Sequence, residues 1–326
     1  MQNFTSLLRG LAAAALLAGS LAHAADKVVV AGWSQPITEI TNLLVEEDKG
    51  FFKARGIDLG YVPGAGGGDA IRNMLTGQAT VAFTDPGSFF AALDKGEKLR
   101  AIYDIYPQNV FNVVALKSSG ITRPSDLKGK KIGVYSLSSG TRQNLLVLLQ
   151  QAGLTEADVT IVVTGLLNFA PLMQGQVDAT AATDTGLLVG RSRGLADVNV
   201  MAVREYLNIS SDMFVVTEAT YQTKKDVLKR FLAGYRDSMA WMIANPDEAA
   251  ALAVKRAIDG KNPAVNREII NLRNASSVSA VTQARGLGAL DMAMFQKAAD
   301  SYKKLGIIQR EIKVSDVVMQ DLLPAK

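Results

Sequence analysis

Asn73-Met74-Leu75-Thr76-Gly77-Gln78-Ala79-Thr80-Val81-Ala82-Phe83-Thr84-Asp85-Pro86-Gly87 returns, one residue longer, as Pro171-Leu172-Met173-Gln174-Gly175-Gln176-Val177-Asp178-Ala179-Thr180-Ala181-Ala182-Thr183-Asp184-Thr185-Gly186. Each copy reads as the last turn of a helix, a Gly-Gln stop, a short apolar strand and a Thr-Asp loop that opens the next helix. Helix end, stop, strand and cap coincide, which predicts one unit used twice and therefore two lobes of similar construction.

Strand and helix signals alternate outward from these copies. Before the first lie a strand over Lys27 to Trp33, a helix over Ile37 to Asp48, a strand over Ile57 to Val62 and a helix over Ala70 to Leu75. After it come strands over Leu99 to Ile105 and Phe111 to Lys117. Around the second copy the order is strand Lys131 to Tyr135, helix Arg142 to Gln151, strand Val159 to Val163, helix Phe169 to Gln174 and strand Asp178 to Ala182. Leu145, Leu146, Leu148, Leu149 and Ala152 form one apolar stripe and Gly153 ends it. The alternation predicts α/β lobes with helices on both sheet faces.

Met213-Phe214-Val215-Val216-Thr217 echoes Phe111-Asn112-Val113-Val114-Ala115. These two strands are expected to be the crossings between lobes, out near residue 117 and back near 217. One lobe would then hold 25–116 and 218–326, and the other 117–217. Beyond the second crossing the pattern is helical, with a stripe of Val227, Phe231, Tyr235, Met239 and Met242, a helix from Pro246 to Ile258 and another from Leu290 to Leu305. Two crossings allow a hinge, and the natural place for a small ligand is the cleft between the lobes.

Residues 1–24 carry a single charge, Arg9, then an alanine- and leucine-rich run from Leu11 to Leu21, then Ala22-His23-Ala24. This reads as a secretory signal cleaved after Ala24. The run is too short to span a bilayer, and no later stretch reaches the ~20 apolar residues a crossing helix needs. A soluble product exported to a bacterial periplasm is expected. Removal of the signal takes Arg9 and the only histidine, His23, leaving 34 basic against 31 acidic residues. The charges are interspersed, with no basic run interleaved with aromatics, so nucleic acid is not an expected partner.

The chain has no cysteine. A mature protein without cysteine or histidine cannot build a Ser-His-Asp triad, a Cys-His pair, a histidine base or the usual zinc sites. No metal or cofactor is expected, and a binding role gains over most enzyme classes. Chemistry based on carboxylates or lysines stays open.

Glu47-Asp48-Lys49-Gly50-Phe51-Phe52-Lys53-Ala54-Arg55-Gly56-Ile57, Gly64-Ala65-Gly66-Gly67-Gly68-Asp69-Ala70, Gly77-Gln78 with its strand, Asp126-Leu127-Lys128-Gly129-Lys130-Lys131-Ile132-Gly133-Val134 and Ala244-Asn245-Pro246-Asp247-Glu248-Ala249 carry a resemblance. Together they resemble the periplasmic solute-binding proteins of ABC importers, in the branch for taurine, sulfonates, nitrate and thiamine-pyrimidine-like compounds. The likeness spans nearly the whole mature chain. It implies the two-lobed type II binding-protein fold, a small polar organic ligand (taurine-, sulfonate- or nitrate-like, or an aromatic acid or pyrimidine), a membrane permease as partner, and a monomer. Members of the wider family that make thiamine pyrimidine use histidine and cysteine, which the mature chain lacks.

Candidate ligand residues sit where strands meet helices. The glycine-rich Gly64 to Gly68 is neither a Walker A loop nor a dinucleotide fingerprint, and either its backbone NH groups, at Gly67 above all, meet an anion or it is a tight turn capped by Asp69. Ser138, Ser139, Gly140 and Thr141 occupy the matching loop of the second lobe, where hydroxyls and a helix start suit an anionic oxygen, and the resemblance implies ligand contacts there. Plain capping by Ser139 or Thr141 is the alternative. Trp33, Ser34 and Gln35 end the first strand; Thr84 and Thr183 offer matching hydroxyls from the two copies; Asn168 precedes the second. Asp85 before Pro86 has the pattern of a helix cap, whereas Asp184 facing a ligand would favour an ammonium or hydroxyl donor. Tyr106, Gln108 and Asn109 are placed near the hinge. Glu46-Glu47-Asp48, and Lys224-Lys225 with Lys229-Arg230, read as solvated faces or as docking patches for the importer. Two rival functions remain: an enzyme using carboxylates or lysines in the same cleft, and a periplasmic sensor.

Overall fold

The structure, a computed structural model, describes residues 24–165 and 169–323. Residues 1–23 of the expected export signal and the ligand candidate Asn168 lie outside the described residues.

Two five-stranded sheets form the body. The first holds β1 (Asp26–Ala31), β2 (Ile57–Val62), β3 (Val81–Thr84), β4 (Leu99–Tyr106) and β10 (Asp212–Thr217), in the order β2-β1-β3-β10-β4. The second holds β5 (Phe111–Leu116), β6 (Lys131–Val134), β7 (Thr160–Val163), β8 (Ala179–Thr183) and β9 (Val198–Ala202), in the order β7-β6-β8-β5-β9. In each sheet three strands run parallel and the fourth is antiparallel to both neighbours. The two copies of the repeated stretch therefore occupy equivalent places, since β3 pairs with β1 as β8 pairs with β6. This is the α/β two-lobed architecture that the repeat implies.

The crossings fall elsewhere than expected. The chain leaves the first sheet after Tyr106 and returns to it at Asp212, so β5 pairs inside the second sheet and β10 inside the first. A boundary at residues 116 and 217 assigns both strands to the wrong sheet. Both are buried along nearly their whole length, and a strand apolar on both faces needs neighbours on both edges and layers above and below. The true crossings are the short segments 107–110 and 203–211, and they are bonded to each other. Ser211 Oγ donates to Gln108 O at 2.6 Å, and Asn109 Nδ2 donates to Leu207 O at 3.0 Å.

Helices cover both sheets: α1 (Gly67–Leu75), α2 (Pro86–Asp94), α3 (Gly140–Gln151), α4 (Asp184–Ser192), α5 (Lys225–Ala244), α6 (Pro246–Arg256), α7 (Pro263–Ser276) and α8 (Met292–Lys304). The Phe231, Tyr235, Met239 and Met242 stripe of α5 is buried, and Phe214 of β10 lies 5.2 and 4.6 Å from the Phe231 and Tyr235 ring centres. Phe90 of α2 packs on Tyr302 of α8 in the same lobe. The helix expected over Ile37 to Asp48 is instead three short pieces that break at Ile40 and Val45. Thr38 there is held by Asp259, through its N–H at 2.7 Å and its hydroxyl at 2.8 Å. No helix among the described residues is long and apolar enough to cross a membrane.

Candidate functional site

The first strand stops at Ala31 because the next residue must be bare. A Cβ on Gly32 would lie 1.8 Å from the Tyr61 hydroxyl oxygen. That hydroxyl instead donates to Ser34 O at 2.8 Å, which turns the chain and sends Trp33 towards the gap between lobes. The Trp33 ring meets Phe83 edge-on, at 6.4 Å and 82°. Loops after β3, β6 and β8 reach the same gap. They enclose a cavity of about 610 Å³, counted to its open mouth, with walls from both lobes.

The first lobe contributes Trp33, Gly66, Gly67, Asp85 and Asp212; the second contributes Phe111, Tyr135, Ser139, Gly140, Thr141, Phe169 and Thr183. Asp85 also caps α2, accepting from the Ser88 N–H at 2.8 Å and the Ser88 hydroxyl at 2.7 Å. The cap expected from the Asp-Pro pattern thus coexists with a place in the wall. Burial pushes the Asp85 carboxyl up against those two bonds. It pushes the Asp212 carboxyl up further, and the charges of Glu39 and Asp85 add to the effect. Four aromatic rings and two buried acids give the wall its character.

Other expected residues are tied up in bonds within the protein, whether or not they reach the wall. Ser34 is fully buried and its hydroxyl donates to Gln35 O, while Gln35 itself is exposed. Thr84 is fully buried and donates to Gly67 O at 3.0 Å, fixing the glycine loop instead of facing the cavity. The carbonyl of Ser138 accepts from Gly68 N–H at 3.0 Å across the gap. Ser139 and Thr141 share a hydroxyl pair at 2.7 Å and hold their own loop, with Thr141 accepting from Tyr135 N–H. Asp69 accepts from Ala65 N–H at 3.0 Å, the tight-turn role. Glu47 and Asp48 pair with Arg256, and Lys225 with Asp321.

Asp184 does not line the cavity. Its carboxylate accepts from Arg273 of α7 at 2.7 Å, so a cation of the other lobe occupies the place an ammonium ligand would take. The guanidinium is fully buried, also pairs with Glu39 at 2.7 Å and donates to Thr185 Oγ1 at 2.8 Å. Thr185 in turn donates to Glu39 at 2.7 Å. Burial opposes the Arg273 charge, but Asp184 and Glu39 outweigh it and raise the pKa, so the guanidinium stays protonated. Further contacts close the gap: the Tyr135 hydroxyl donates to Gly64 O at 3.1 Å and Ser136 Oγ to Ala65 O at 2.5 Å. Gln108 and Asn109 stand at the crossing as expected, with Asn109 bonded to Asn144 at 2.9 Å.

Sequence reading missed Phe111, Tyr135, Phe169, Asp212 and Arg273. Tyr135 was within reach, as the last residue of a predicted strand. Arg273 carried only an indirect signal, since Asn262-Pro263 repeats the helix opening of Asn245-Pro246.

Among families, the one described as NMT1/THI5 like matches residues 37–249. The riboflavin-binding protein RibY of Chloroflexus aurantiacus is 22% identical over 295 residues, covering 89% of this chain and 84% of that protein. The 4-amino-5-hydroxymethyl-2-methylpyrimidine phosphate synthase THI5 of Saccharomyces cerevisiae is 22% identical over 258 residues, covering 75% of this chain and 74% of that protein. In fold the chain is similar to the alkanesulfonate-binding protein SsuA from Xanthomonas axonopodis pv. citri bound to MOPS, with a TM-score of 0.71, 17% identity, and coverage of 90% of this chain and 98% of that one. The two lobes thus have the periplasmic binding protein fold.

Proposed function

Because this chain belongs to the NMT1/THI5-like family, we propose that it is an exported receptor that captures a small organic solute between its lobes and delivers it to the permease of an ABC importer. The observation that carries this reading is the cavity itself, whose walls come from both lobes, which Arg273 and Asp184 also join. Such a site is complete only when closed, so occupancy and closure are one event, which a membrane partner reads as shape. The aromatic walls favour the aromatic part of the expected ligand range, and among the described residues no cation stands in the cavity wall to draw a nitrate or sulfonate. Capture without conversion fits a wall that lacks histidine and cysteine.

Native mass spectrometry of the protein as purified from its host periplasm, with the retained compound identified, tests the proposal. A ligand at ~100 times its dissociation constant is expected to add about 2.7 kcal/mol to the unfolding free energy and to lower the radius of gyration measured by small-angle scattering. A cavity that binds no solute from a periplasmic extract, or lobes whose scattering is unmoved by a bound one, would overturn it. The yeast relative carries the name of a synthase, so the same spectra serve a second purpose. A receptor returns its ligand with unchanged mass, whereas an enzyme working through Asp85 or Asp212 does not.

A further inference from the structure

Within the receptor reading, we infer that the cavity selects an organic cation, holding its charge among aromatic rings against the carboxylate of Asp212. Asp212 is 6% exposed, stands in the cavity wall, and receives no hydrogen bond on its carboxylate among the described residues. The other acids near it are engaged. Glu39 is paired with Arg273 and Thr185, Asp85 is held by Ser88, and Asp104 accepts from Ser210 Oγ at 2.7 Å. Arg273, the cation of this group, is spoken for by Glu39 and Asp184. A buried carboxyl left without donor or counter-ion is driven to keep its proton, and a bound cation supplies both and favours the carboxylate.

The rings point the same way. Trp33, Phe111, Tyr135 and Phe169 share the wall, and the negative faces of such rings attract a cation, most strongly where water is excluded. Helix starts are the feature that would favour an anion; α3 opens on the cavity at Gly140, and there the Asp85 side chain stands close by, its Cβ 3.3 Å from where a Gly140 Cβ would lie.

Three isosteric probes separate the possibilities: benzamidine, benzamide and benzoate carry charges of plus one, zero and minus one on nearly the same shape. Calorimetry on the mature protein is expected to rank benzamidine at least about tenfold above benzamide, with benzoate weakest. Asp212→Asn should abolish the advantage of benzamidine over benzamide while raising the melting temperature of the ligand-free protein, because a lone buried acid has been removed. A merely structural role for Asp212 would lower that temperature instead. Benzoate binding as tightly as benzamidine, no binding by any of the three, or an advantage that survives Asp212→Asn, would overturn the inference. The receptor reading falls separately, on lobes that do not close around a solute drawn from periplasmic extract.

Discussion

Arg273 of the first lobe donates to Asp184 of the second at 2.7 Å, and this contact fastens one lobe to the other. The two partners are not equivalent. Arg273 shares its lobe with Glu39, so Asp184→Ala leaves the guanidinium one counter-ion and removes one charged contact between the lobes, with the bonds through Thr185 kept. That variant is expected to keep its fold, to give a larger radius of gyration by small-angle scattering, and to bind ligand about tenfold more weakly. Arg273→Gln strands Glu39, which is 2% exposed, and is expected to lose about 3–5 kcal/mol in urea unfolding.

Gly87→Ala should wedge the lobes apart at no backbone cost. The position is helical, but the new Cβ would lie 2.8 Å from both Cβ and Cγ of Gln143 on α3, across the gap. The clash exists only in the closed form. Scattering should report an opened molecule with undiminished thermal stability and weaker ligand binding; an unchanged radius would show that Gln143 steps aside.

Asp104 makes stability fall as pH rises. Burial is the main cause that pushes its carboxyl up to about 8, so between about pH 4 and pH 8 the folded protein keeps a proton that the unfolded chain has released. Unfolding free energy then drops by ~1.4 kcal/mol per pH unit from this group alone. Asp104→Asn removes that contribution, and urea melts at pH 5 and pH 7.5 should differ by about 3 kcal/mol less than they do with aspartate.

The Trp33 ring, as well as its bulk, is expected to matter. Trp33→Leu keeps an apolar side chain and removes the π face, and should weaken benzamidine by about fivefold, equivalent to ~1 kcal/mol, whereas Trp33→Phe should retain most of the affinity. Equal losses in both variants, measured by calorimetry, would assign the contact to shape alone.

Local signals in the chain led directly to the doubled architecture. Gly-Gln stops, short apolar strands and Thr-Asp caps are set by neighbouring residues, and they put β3 and β8 in their places before any tertiary contact is considered. The same locality explains what was hidden. Phe111 and Met213 open look-alike strands, and nothing nearby tells which sheet each will join; that is decided by partners such as Thr183 and Thr84, 72 and 129 residues away. Thr84 and Ser34 have the right chemistry at strand ends, yet their hydroxyls answer nearby carbonyls first. Asp212 and Arg273 owe their roles to groups on other elements, so no window of sequence displays them.

The paired crossings, stitched through Ser211 to Gln108 and Asn109 to Leu207, have a mechanical consequence. Two strips lashed side by side resist twisting and sliding far better than either alone, and leave one easy rotation. Whatever opens this molecule swings it along a single arc, so any jaw angle specifies the whole posture, and a docking surface need sense only that angle to tell a loaded molecule from an empty one.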